Sequence, residues 1–209
     1  MTIKLGKENC ALIVVDMQNG FLDGKGSMAQ LGFAWEKLAA ASPGVQRLVA
    51  GARKAKVPIF WTRYVYEPDF RDGGVQIEEI MPMMKDVKLC VAGTWDAEIH
   101  PDMKTEDSDT IIDKNRPSSF YATRLESYLR AQGIENVVVC GVTTNICVET
   151  TVRDASQRDF RTFVVRDAVG EVDDFRGQTA LKAMEYLFAR VLNVNEVLDE
   201  WGVELSNAA

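Results

Sequence analysis

A chain of 209 residues fits one domain and is long enough to bury a substantial core. Twenty-four basic against thirty-one acidic side chains give a net charge of −7, which excludes the basic footprint that phosphate-backbone binding requires, so nucleic acid is not an expected partner. The single histidine, His100, excludes multi-histidine metal sites and most imidazole acid–base pairs, so the chemistry has to come from other groups.

Residues 1–8 carry no apolar leader, and no stretch approaches the roughly 18 consecutive apolar residues of a membrane span; a cytoplasmic protein without membrane contacts is expected. Short β-branched runs at 11–15, 57–61, 110–112, 137–140 and 162–165 predict five buried strands, with a short sixth near 189–192. Between them, Val45, Leu48, Val49 and Ala52 mark one helix face, Ala122, Leu125, Tyr128 and Leu129 a second, and Ala180, Ala183, Met184, Leu187 and Phe188 a third. Ser42-Pro43 supplies the first of these helices with a cap and an N1 proline. Strands without polar alternation, separated by helices, predict a three-layer αβα single domain over 1–209, with a doubly wound, mainly parallel sheet of about six strands. Residues 63–109 fit no strand period and carry Gly73-Gly74, Pro68, Pro82, Met81, Met83 and Met84; they read as a long lid-like insertion or as an inert excursion.

In open parallel sheets, ligands bind beyond the carboxyl ends of the strands. Asp16 follows the first run, Lys114 the third, and Cys147 the turn after the fourth. Asn145 is a candidate N-cap, which places Cys147 in the first turn of a helix, on one side together with Val148, Thr151, Val152 and Ala155. Exposed first-turn amides and a lysine ammonium favour thiolate there, and a carboxylate such as Asp16 is a base for the thiol proton. Singly, each residue also fits a plainer role: a loop cap, a solvated lysine, a core cysteine. The other cysteines, Cys10, Cys90 and Cys140, form no CxxC pair and read as free core thiols. Gly24-Lys25-Gly26-Ser27-Met28-Ala29 matches GxGxxA but does not follow the strand directly, and neither a P-loop nor a GxSxG pattern occurs.

Three segments resemble the motifs of the isochorismatase-like cysteine hydrolases: Asp16-Met17-Gln18-Asn19-Gly20-Phe21, Lys114-Asn115-Arg116-Pro117-Ser118-Ser119-Phe120, and the long run from Gly141 through Cys147 to Ala155. They occur in family order, and Asp167-Ala168 after the fifth strand fits as well. The resemblance implies an Asp16, Lys114 and Cys147 triad that cleaves C–N bonds of small amides, ureides or N-carbamoyl compounds through a thioester, without metal or other cofactor. It also implies a cis Val142-Thr143 peptide, with the amides of Thr143 and Cys147 as oxyanion donors. By matching position, Phe21, Trp61, Tyr64, Trp95 and Phe120 are expected to wall the pocket, with Asn19 and Arg63 as further polar groups; core packing is the alternative for the aromatics. Arg116 is expected either to clasp a substrate carboxylate or to lie in a surface ion pair.

The region Thr62-Arg63-Tyr64-Val65-Tyr66 has no histidine, unlike the metal motif of nicotinamidases, and Cys147 is absent from vinyl-ether-cleaving isochorismatases. Gly93-Thr94-Trp95-Asp96 and 114–120 look closest to the ureidoacrylate and carbamoyl amidohydrolase branch. A vinyl ether hydrolase, a metabolite-binding relative and a thiol sensor are the alternatives. A homodimer or homotetramer is the expected assembly, the helix near 180–188 being either interface or core.

Overall fold

The computed structural model describes residues 3–204. The apolar runs form strands β1 (Cys10–Val15), β2 (Ile59–Tyr64), β3 (Thr110–Lys114), β4 (Asn136–Val142), β5 (Arg161–Gly170) and β6 (Arg190–Leu192). All neighbours pair in parallel, in the order β3-β2-β1-β4-β5-β6. Every residue of β1 and β4 is buried, as expected of central strands covered on both faces. Strand β3 departs from the expectation: it is an edge strand with alternating burial, and Ile111 is exposed.

Five longer helices cover the sheet: α1 (Ser42–Ala55), α2 (Leu125–Ala131), α3 (Glu149–Gln157), α4 (Asp174–Leu187) and α5 (Val194–Glu200). Helix α1 packs on α5, and α3 packs on α4, giving three layers. Val45, Leu48, Val49 and Ala52 are buried as the spacing predicts, each such side chain contributing up to roughly 1.5–3 kcal/mol. Other helix readings need correction. Ser42 is the first helical residue rather than the cap, which is Ala41. Ala122 lies before α2 at φ 54, and Tyr128 is at its surface. In α4, Ala180 and Met184 face the core but Leu187 is exposed, as are Phe175 and Tyr186. Among the described residues, no helix is long and apolar enough to cross a membrane.

The chain leaves β1 towards β2 and leaves β4 towards β5, in opposite directions across the sheet. Their adjacent carboxyl ends therefore frame the crevice where a doubly wound sheet binds its ligand.

Candidate active site

Asp16 stands at the end of β1 with φ 53, a left-handed conformation that aspartate tolerates better than most residues. Its carboxylate is completely buried and doubly held: Oδ1 accepts from Thr62 Oγ1 at 2.8 Å and Oδ2 accepts from Lys114 Nζ at 2.7 Å. The Lys114 ammonium also donates to the carbonyl of Arg116 at 3.2 Å and lies 4.3 Å from the centre of the Tyr64 ring. The thiol of Cys147 lies against both, close enough that each shifts its titration. Thus the structure brings Asp16, Lys114 and Cys147 together from three strand ends.

Cys147 sits in a wide helical turn, Thr144–Val148, that runs into α3. Thr143, not Asn145, is the residue that enters this turn; the Asn145 backbone amide instead donates to Glu171 Oε2 at 3.1 Å. The Val142-Thr143 peptide is cis. Neither the Thr143 nor the Cys147 amide donates to a described group outside its own turn, whereas Ile146 and Val148 both donate to the Thr143 carbonyl. The turn is braced by Thr144 Oγ1 donating to the Gly170 carbonyl at 2.9 Å. The loop after β3 is locked onto α3 by Ser118, which donates to Asp154, and by Thr151, which accepts from the Ser119 amide at 3.0 Å.

Burial opposes the thiolate that the first-turn amides and Lys114 favour. Burial pushes the Cys147 thiol up to about 12, outweighing the downward pull of the Lys114 ammonium, while Asp16 adds to the rise. For Lys114, burial works against the charge, but Asp16 and Cys147 prevail and hold it above its ordinary value. Alkylation of Cys147 by iodoacetamide, followed by intact mass, is expected to accelerate about tenfold per pH unit from about pH 7 to about pH 9 without a plateau. A plateau below about pH 8 would show a thiolate already present.

Thr143 and Cys147 border a cavity of about 370 Å³. Phe21 and Tyr64 line it, as the sequence suggests. Trp61, Trp95 and Phe120 do not. Trp61 points to the other side of β2, buried, with its indole donating to Asp109 Oδ2 at 2.9 Å. Trp95 is exposed, and Phe120 packs on Phe160 with ring centres 5.8 Å apart. Asn19 turns its amide to the Trp95 carbonyl at 2.8 Å, and Arg63 forms a two-pronged pair with Asp113 at 2.7 and 2.8 Å. Arg116 takes neither expected role: its guanidinium donates to the carbonyls of Asp72 and Asn115 at 2.9 and 2.6 Å. His100 is partly buried and caps the turn Pro101–Met103, its Nδ1 accepting from the Asp102 amide at 3.3 Å.

The isochorismatase domain model matches residues 10–196. The chain belongs to the isochorismatase family. Among its isochorismatase-family relatives is the ureidoacrylate amidohydrolase RutB of Methylorubrum extorquens, 33% identical over 88% of this chain and 79% of that protein. The Serratia proteamaculans protein of the same name is 29% identical over 99% of this chain and 88% of its own length. Among solved structures, a cysteine hydrolase from Pseudomonas syringae pv. phaseolicola superposes with a TM-score of 0.86 at 26% identity, covering 96% of each chain.

This isochorismatase-family hydrolase has supporting residues that motif spacing alone does not reveal. Gln18 is fully buried and joins β1, β2 and the insertion: its side-chain amide donates to the carbonyls of Tyr64 and Ala97, both at 2.9 Å, and its oxygen accepts from the Tyr64 amide at 2.6 Å. Asp96 gathers the Ser27 amide and hydroxyl and the Cys90 amide at 2.9, 2.6 and 2.7 Å. Gly20 passes so close to Asp96 that a Cβ would lie 2.5 Å from its Oδ2. Within the insertion, Tyr66, Gln76, Ile80, Met81, Met84 and Leu89 supply one cavity wall. Among the described residues, no group of three or more His, Cys, Asp or Glu side chains is placed to hold a metal ion.

Proposed function

We propose that this chain is a cysteine amidohydrolase that cleaves a C–N bond of an amide, ureide or N-carbamoyl compound and releases ammonia. The observation that carries this reading is the placement of the Cys147 thiol, at the edge of a cavity, against a buried Asp16–Lys114 pair. The name of the ureidoacrylate amidohydrolase relatives supports the same reaction class.

In this mechanism Asp16 accepts the Cys147 proton as Sγ bonds to the substrate carbonyl carbon. Lys114 orients the Asp16 carboxylate before transfer and offsets the negative charge that sulfur acquires. The amides of Thr143 and Cys147 are the candidate donors to the tetrahedral oxyanion, each contributing about 3 kcal/mol. Asp16 returns the proton to the leaving nitrogen, the C–N bond breaks, and ammonia departs from the thioester. Water, deprotonated by Asp16, then attacks the thioester; the C–S bond breaks, and Asp16 reprotonates the thiol. The net reaction consumes one water per ammonia released.

Burial of Cys147 favours this reading over a thiol sensor, which needs an accessible thiol. Ammonia release should be measured for ureidoacrylate, N-carbamoyl amino acids, biuret, maleamate and simple amides, with Cys147→Ala as the control. Turnover of at least one compound by the wild type, lost in the variant, is expected. Equal, background release from both proteins across the panel would leave the binding-protein reading ahead.

A further inference from the structure

Much of the cavity lining is apolar, with Phe21, Met28, Phe33, Met81, Met84 and Leu89 contributing to its wall. Neither Lys114 nor Arg116 lines the cavity. Lys114 holds Asp16, and Arg116 holds the carbonyls of Asp72 and Asn115. Arg176, on the cavity rim, lies 3.7 Å from Glu171 Oε1. Glu171 itself borders the cavity and accepts from the amides of Asn145 and Val172 at 3.1 and 3.0 Å. A substrate carboxylate on this wall would lose its hydration and meet the Glu171 carboxylate, with Arg176, already beside Glu171, as the one cation among the lining residues. A hydrocarbon group there gains from burial, and two methionines let the wall adapt to its shape.

We propose that the site takes uncharged amides or ureides bearing a hydrocarbon arm of several carbons, linear or aryl, in preference to the carboxylate-bearing ureides named for its relatives. This rests on the amidohydrolase reading for its chemistry, while the arm's binding site stands on the cavity itself. The volume of about 370 Å³ leaves room for such an arm beyond the amide group.

The test is kcat/KM for ammonia release by the full chain from acetamide, butyramide, hexanamide, phenylacetamide and butylurea, alongside ureidoacrylate and succinamate. The expected result is a rise of about fourfold per methylene from acetamide to hexanamide. Butyramide should exceed succinamate, its counterpart with a terminal carboxylate, by at least about tenfold, and Met84→Arg should narrow that ratio. A length-independent series overturns the proposal, as does a preference for the acids, above all one abolished by Arg176→Gln. Calorimetric titration of Cys147→Ala with the same neutral series separates the two readings. If the wild type releases no ammonia but affinity still tightens about fourfold per methylene, the hydrolase reading fails and the apolar-arm site stands. Undetectable or length-independent binding in that titration overturns the apolar-arm site.

Discussion

Lys114→Met is expected to lower stability by about 3–5 kcal/mol and to reduce ammonia release by a factor on the order of 10²–10³. Both charged groups are fully buried and 2.7 Å apart, so at an effective dielectric near 20 their attraction is about 6 kcal/mol. Removing the ammonium leaves the Asp16 carboxylate buried with neutral partners, the Thr62 hydroxyl and the Cys147 thiol, and no cation. For a protein of this length the loss corresponds to a fall in Tm of roughly 6–20 °C. The double variant Asp16→Leu/Lys114→Met distinguishes a paired charge from a merely well-packed chain: it should recover most of the stability while remaining inactive, because two apolar side chains leave no orphaned charge. An unchanged Tm in Lys114→Met would rule out a strongly coupled pair. The pH dependence has a defined sign. The folded-state pKa of Lys114 is raised above the ordinary 10.5, so its contribution is fully present below that value and is lost as pH rises through the higher folded one. Wild-type stability should therefore fall towards that of Lys114→Met only in strongly alkaline solution.

Gly141→Ala is the second large expected effect. Gly141 lies in β4 at φ 113, opposite Val15, and a Cβ there would lie 2.1 Å from the Val15 carbonyl oxygen and 2.7 Å from its nitrogen. Both obstacles are backbone, so relief requires β1 and β4 to separate at the ends that carry Asp16 and Thr143. Strain and overpacking should destabilise by more than about 3 kcal/mol, and the residual folded protein should lose activity. Gly6→Ala is the matched control: its Cβ meets nothing within 4 Å, and a change within about 0.5 kcal/mol is expected by chemical denaturation. Equal stability of the two variants would show that the strands tolerate the wider spacing.

The sheet was legible from local pattern, and the convergence of Asp16, Lys114 and Cys147 from strand ends together with the motif resemblance. A β-branched run ends, a polar residue follows, and parallel strands put such ends on one edge. The cavity wall was less legible, since Met81, Met84 and Leu89 belong to an irregular segment and are the same residue types that fill cores. Part of the error at Trp61 and Arg63 was avoidable. With Tyr64 on the site face, the two-residue strand period puts Thr62 beside it and turns Trp61 and Arg63 away, as found. Arg116 and Asn19 illustrate a different limit. Their partners are carbonyls of Asp72, Asn115 and Trp95, and such backbone acceptors have no sequence signature. The upward push on the Cys147 thiol was not legible, because first-turn amides and a lysine are visible in sequence, whereas the depth of burial that opposes them is not.

The all-parallel strand order also bears on how the protein is made. Asp16 and Lys114 are 98 positions apart, and the central β1–β4 pairing joins segments still farther apart in the chain. Each such pairing must overcome loop-closure entropy before its contacts are rewarded, which places this topology among slow folders. A nascent chain has no site until β4 has emerged and docked beside β1. The juxtaposition of Asp16, Lys114 and Cys147 is thus acquired late in synthesis, and truncated or partly folded chains carry Cys147 without the buried pair beside it.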